Sequence, residues 1–68
     1  MFKKELLKSK MVAHGMKTEE LADKLGINVL TLYRKLNGES EFTRSEMQSI
    51  KSVLKLNKGE MDNIFFAQ

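Results

Sequence analysis

An all-α fold is predicted by three observations. Proline is absent, no segment alternates apolar and polar residues as a half-buried strand would, and apolar residues recur at spacings of three and four almost throughout. At 68 residues the chain reads as one domain, near the lower size limit at which a single core is stable unaided. No linker, internal repeat or low-complexity stretch suggests a boundary, so residues 1–68 are taken as one unit.

Five helices are expected. The first runs roughly from Phe2 to His14, with Leu7 and Met11 on its inner face, Leu6 beside them, and Gly15 as its terminating residue. The second, about Thr18 to Leu25, buries Leu21, Ala22 and Leu25, sets Glu20 four residues before Lys24, and stops at Gly26. Ile27 follows in the turn, and Asn28 is a good N-cap for the third helix, about Val29 to Asn37, which Gly38 closes. After a loop through Phe42, TRSE at Thr43 to Glu46 is a full capping box, in which hydroxyl and carboxylate satisfy each other's unpaired amides. The fourth helix turns Met47, Ile50, Val53 and Leu54 inward, and Leu56 closes it. NKGE at Asn57 to Glu60 reads as a second N-terminal cap, opening a fifth helix with Met61, Ile64 and Phe65 on one stripe.

Composition narrows the function classes. There are no cysteines, which excludes disulfides and thiolate metal sites, so burial must hold the fold together. A hydrophobic content of 41% makes that feasible, a charged content of 31% keeps the chain in solution, and a partner subunit can add stability. No apolar run approaches the roughly 20 residues of a membrane helix, and MFKKELLKSK lacks the apolar core of a secretory signal. A cytoplasmic protein without a membrane partner is expected, the N-terminal lysines being the solvated face of a core helix rather than an amphipathic anchor. The net charge of +3 is uneven: residues 1–17 hold five lysines against Glu5, residues 18–38 balance three against three, and residues 39–68 hold four basic against five acidic. That asymmetry suits a polyanionic partner touching one side.

Catalysis is poorly supported. His14 is the single histidine and falls at the end of the first helix, where a cation suits the helix dipole. Glu19, Glu20 and Asp23 form an ordinary solvated helix face, and neither a glycine-rich phosphate loop nor metal-ligand spacing occurs. No enzyme activity and no cofactor are expected.

The tight corner in LADKLGINVLTLYRKLNG, Leu21 to Gly38, carries more information. Two helices joined through three or four residues including a glycine meet at a steep angle, the helix-turn-helix geometry. Ala22 stands where the third helix crosses close over the second, Gly26 can take a left-handed backbone, and Ile27 and Leu32 fill the wedge between the helices.

The segment GMKTEELADKLGINVLTLYRKLNG, Gly15 to Gly38, resembles the phage repressor and Cro family of helix-turn-helix regulators, more loosely so through helices four and five. The YRKLNG ending, with EFT shortly after it, is similar to small phage-encoded regulators of Gram-positive bacteria. The resemblance implies a compact five-helix, lambda repressor-like DNA-binding domain, bound as a homodimer to a pseudo-palindromic double-stranded operator with the third helix in the major groove. That groove is about 12 Å wide and half-sites lie about 34 Å apart. A helix of about nine residues is of order 13 Å long and fits.

A helical wheel assigns faces independently. With Leu32 and Leu36 inward, Leu30, Thr31, Arg34 and Asn37 turn outward, Tyr33 and Lys35 flank them, and Val29 lies near the core face although relatives often carry a polar DNA-facing residue there. Val29, Leu30, Thr31 and Arg34 are the candidate base contacts: Arg34 can donate two hydrogen bonds to guanine, and Leu30 can meet a thymine methyl. Phosphate contacts implied by the resemblance are Lys17, Thr18, Asn28, Tyr33 and Asn37, with Ser40, Thr43 and Arg44 from the following loop and helix start. Met61, Phe65 and Phe66 on the C-terminal helix are the implied dimer surface.

Three departures from the family pattern stand out. Lys17 occupies a place where a serine or threonine cap is common, so Thr18 is expected to start the second helix one residue late, without a glutamate three residues on. Lys35 stands where many members bury an aliphatic side chain, leaving that packing to Leu36. Glu39 and Glu41 flank a loop that is basic in several relatives. The reading is a sequence-specific DNA-binding regulator, a phage or prophage repressor with no small-molecule effector. The competing reading is a protein-interaction module, an antitoxin or antirepressor whose helix-turn-helix is relict, with Phe66 outside the Met61, Ile64 and Phe65 stripe as its partner site.

Overall fold

The computed structural model describes residues 2–66. Within them the chain forms α1 (Lys4–Ala13), α2 (Thr18–Leu25), α3 (Val29–Leu36), α4 (Arg44–Val53) and α5 (Lys58–Met61), the last running on as a π-helical turn over Asp62–Phe66, with no strand among the described residues. All five expected helices are present. The fifth keeps α-geometry for a single turn before it widens, which the stripe of apolar residues alone did not signal.

Leu7 of α1, Leu21 of α2, Leu32 of α3, Ile50 of α4, Leu54 just beyond it and Ile64 of the π turn are fully buried, so every segment contributes to one core. Burial of each such side chain is worth about 1.5–3 kcal/mol against exposure. Leu6, expected beside Leu7, is turned out and 44% exposed, since one helical step carries it off the inner stripe. Leu25, Met47 and Val53 are only partly buried against the core. Ala22 is 2% exposed, and its small side chain lets α2 pack against both α3 and α4.

The helix ends follow local chemistry. In α1, α2 and α3 a glycine with positive φ follows the last turn, and the next amide reaches back five residues, as Ile27 N–H does to the Ala22 carbonyl at 3.0 Å. After α4 the same motif recurs, Leu56 N–H donating to the Lys51 carbonyl at 2.9 Å, but the left-handed position belongs to Lys55 at φ +53. That is the one non-glycine with positive φ among the described residues.

At the N-terminal ends, Glu20, Glu46 and Glu60 each accept a hydrogen bond from the backbone N–H of the cap residue three positions earlier, at 2.9, 2.8 and 2.9 Å. Two of these carboxylates also reach a lysine on a different helix, Glu60 pairing with Lys10 of α1 and Glu46 with Lys35 of α3. The Lys10 hydrogen bond, with that from the Asn57 amide, holds the Glu60 carboxyl below the usual carboxylate range. The N-terminal segment is tied down separately. Lys3 N–H donates to the Ile64 carbonyl at 2.6 Å, and the Phe2 ring lies 5.2 and 5.5 Å from those of Phe42 and Phe65.

Candidate nucleic-acid interface

The corner between α2 and α3 is set by Gly26 at φ +70. No atom outside its chain neighbours lies within 4 Å of where a side chain would begin, so backbone conformation, and not space, is what calls for glycine there. Ile27 packs half-buried against the core, and Asn28 then caps α3, its Oδ1 accepting from Leu30 N–H at 2.8 Å.

The faces of α3 follow the wheel in part. Leu32 and Leu36 are buried, while Leu30 (55% exposed), Tyr33 (44% exposed), Arg34 and Asn37 face outward. Thr31, expected outside, is half-buried, as is Val29, which packs against the core. The larger correction concerns Lys35, expected on a flank, which is buried at 8% exposure. Its Nζ lies 2.9 Å from Glu46 Oε1 and donates to the Glu41 carbonyl at 3.1 Å. Burial pushes the Glu46 carboxyl up, but hydrogen bonds from Thr43 and Lys35, with the lysine charge, outweigh it and hold the group below its ordinary value. The same carboxylate therefore caps α4 and anchors the end of α3, fixing the loop that carries Ser40 and the helix start at Thr43 and Arg44.

The structure also places the remaining candidate residues. Lys17 is the exposed, extended cap residue of α2 and Thr18 is the first helical residue, so the expected bounds Thr18 to Leu25 hold, and the helix does not start a residue late. A lysine side chain has no acceptor, so only the reciprocal half of a capping box forms there, through Glu20. Ser40 and Arg44 are exposed, and Thr43 Oγ1 is engaged in accepting from Glu46 N–H at 3.1 Å. Arg34, Arg44 and Lys17 form no ion pair among the described residues. Of the three residues assigned to a dimer surface, Met61 and Phe65 are each 8% exposed and spend their surface inside the chain, leaving the Phe66 ring, 58% exposed, as the outward member.

Sequence reasoning missed two features near this face. Lys35 was legible as a cation at a position that favours an aliphatic side chain, a signal that a carboxylate lies opposite. The second, a hydrogen bond from Lys4 Nζ to Asn37 Oδ1 at 3.0 Å, joins residues 33 apart and had no local signal. No helix of the described residues is long and apolar enough to cross a membrane, and no cluster of three His, Cys, Asp or Glu among them is placed to hold a metal.

A family model described as a Cro/C1-type HTH DNA-binding domain matches residues 6–64. No curated protein and no solved structure matches the chain.

Proposed function

The chain belongs to the Cro/C1-type HTH DNA-binding domain family and is a DNA-binding regulator; from that premise we propose that it is a phage or prophage repressor that binds a pseudo-palindromic operator as a homodimer and blocks polymerase by occupancy. The observation that carries this reading is the outward face of α3, where Leu30, Arg34 and Asn37 stand opposite buried Leu32 and Leu36. A guanidinium without an ionic partner beside an exposed aliphatic side chain matches the donor and methyl pattern of guanine and thymine in the major groove. Val29 and Thr31, half-buried at the start of α3, line the edge of the same contact.

Phosphates on either side fall to Lys17 and Thr18 at the start of α2, to Asn28, Tyr33 and Asn37 around α3, and to Ser40, Thr43 and Arg44 at the start of α4. Exposed Glu39 and Glu41 border that last group and lower its share of the affinity. Phe66 is the centre of the proposed dimer contact.

Selection of bound sequences from a random duplex pool at about 150 mM salt tests the proposal. A recovered palindrome with half-sites about one helical turn apart is the expected result. Exposed Phe66, which lines one surface groove with acidic Glu41, favours the competing antitoxin or antirepressor reading. It would be preferred if no sequence were enriched and no affinity were lost between about 50 and 200 mM salt.

A further inference from the structure

We infer that Lys4, outside the helix-turn-helix, acts with Asn37 as one cationic clamp on a DNA phosphate. Lys4 Nζ donates to Asn37 Oδ1 at 3.0 Å, and Asn37 sits exposed at the C-terminal end of α3. The ammonium has no carboxylate partner among the described residues, and at the first residue of α1 it lies where a helix dipole disfavours a cation. Its place is therefore not explained by an ion pair or by helix stability.

The chemistry of the pair is directional. With the Asn37 oxygen engaged by the ammonium, the amide nitrogen is left as a donor, and two of the three ammonium donors remain. Two donors and a full positive charge then converge on one spot, which suits a phosphate oxygen and repels a cation. The fold holds the clamp in place. Phe2 stacks against Phe65 and packs at a tilt on Phe42, and Lys3 N–H is bonded to the Ile64 carbonyl, so Lys4 enters α1 from a segment fixed at both backbone and side chain. Lys4 is in this way brought to the end of the recognition helix by packing against the far end of the chain.

This rests on the reading that α3 enters the groove with Asn37 beside the backbone. The test compares Lys4→Gln, Asn37→Ala and the double variant with the unaltered protein, on the duplex recovered by selection and on a duplex of random sequence, across a salt series. Lys55→Gln, exposed in the turn that follows α4 and outside every DNA contact proposed above, controls for loss of one charge. Lys4→Gln is expected to weaken both duplexes by the same factor and to reduce the salt slope by about 0.9, so that between about 50 and 200 mM salt it loses about 3.5-fold less affinity than the unaltered protein. The double variant is expected to lose less than the two single losses combined. A salt slope for Lys4→Gln equal to that of the unaltered protein, or equal to that of Lys55→Gln, overturns the clamp while leaving the regulator intact. Absence of any DNA binding by the unaltered protein overturns the reading of α3, and the clamp with it.

Discussion

Replacing Lys35 with methionine removes the cation that joins α3 to the start of α4. In a fully enclosed pair, loss of one partner costs about 3–5 kcal/mol because the other charge is stranded. Here the Glu46 side chain is 14% exposed and keeps its hydrogen bond from the Thr43 amide, so the carboxylate is not abandoned. What is lost is one charge-assisted bond, worth about 1.5–3 kcal/mol, and the bond to the Glu41 carbonyl, offset by better burial of an apolar side chain. The net expected loss is about 2 kcal/mol. A domain of this length has of order 3–10 kcal/mol of stability in all, and the melting temperature should fall by about 8–16 °C. Urea unfolding followed by far-UV circular dichroism measures it directly. Glu46→Gln keeps an acceptor for the Thr43 amide, so a cycle of Lys35→Met, Glu46→Gln and the double variant isolates the pair, with an expected coupling of about 1–2 kcal/mol. A coupling below about 0.5 kcal/mol, the range of exposed pairs, would refute the claim that this bridge organises the loop between α3 and α4.

Acidity should act through Glu46 and Glu60, the two capping glutamates that also pair with a lysine. Both Glu46 and Glu60 have folded-state values below the ordinary 4.5, so the folded state binds fewer protons just below that pH, and their stabilisation, complete above it, is lost as pH falls through the folded values. Melting temperatures from pH 6 downward should drop below about pH 4.5, and Glu46→Gln should flatten part of the drop; an unchanged profile counts against the pairing. Lys55→Gly should raise stability by up to about 1 kcal/mol in the same unfolding assay, because relief of a left-handed lysine slightly exceeds the entropy cost of glycine. Arg34→Ala should weaken the selected operator by about 1–3 kcal/mol and relax preference at one base pair. Repeating the selection with this variant checks that, and an unchanged consensus removes Arg34 from base reading.

Sequence by itself determined what depends on neighbours along the chain. The capping box at Thr43 to Glu46, the cap at Asn57 and the left-handed glycines at Gly15, Gly26 and Gly38 are set by groups within a few residues of each other, and periodicity placed Leu7, Leu21, Leu32, Ile50 and Ile64 inside. On the candidate interface it identified the outward positions of Leu30, Arg34 and Asn37, since a single helix fixes its own faces. Tertiary structure decided the rest. A wheel cannot tell a flank facing water from a flank facing another helix, and it was α4, arriving with a carboxylate already held by its own cap, that buried Lys35. The same holds for Lys4, whose partner Asn37 lies 33 residues away in the chain. Each is a charge whose environment is set by a segment distant in the chain, and that information exists only once the helices have packed.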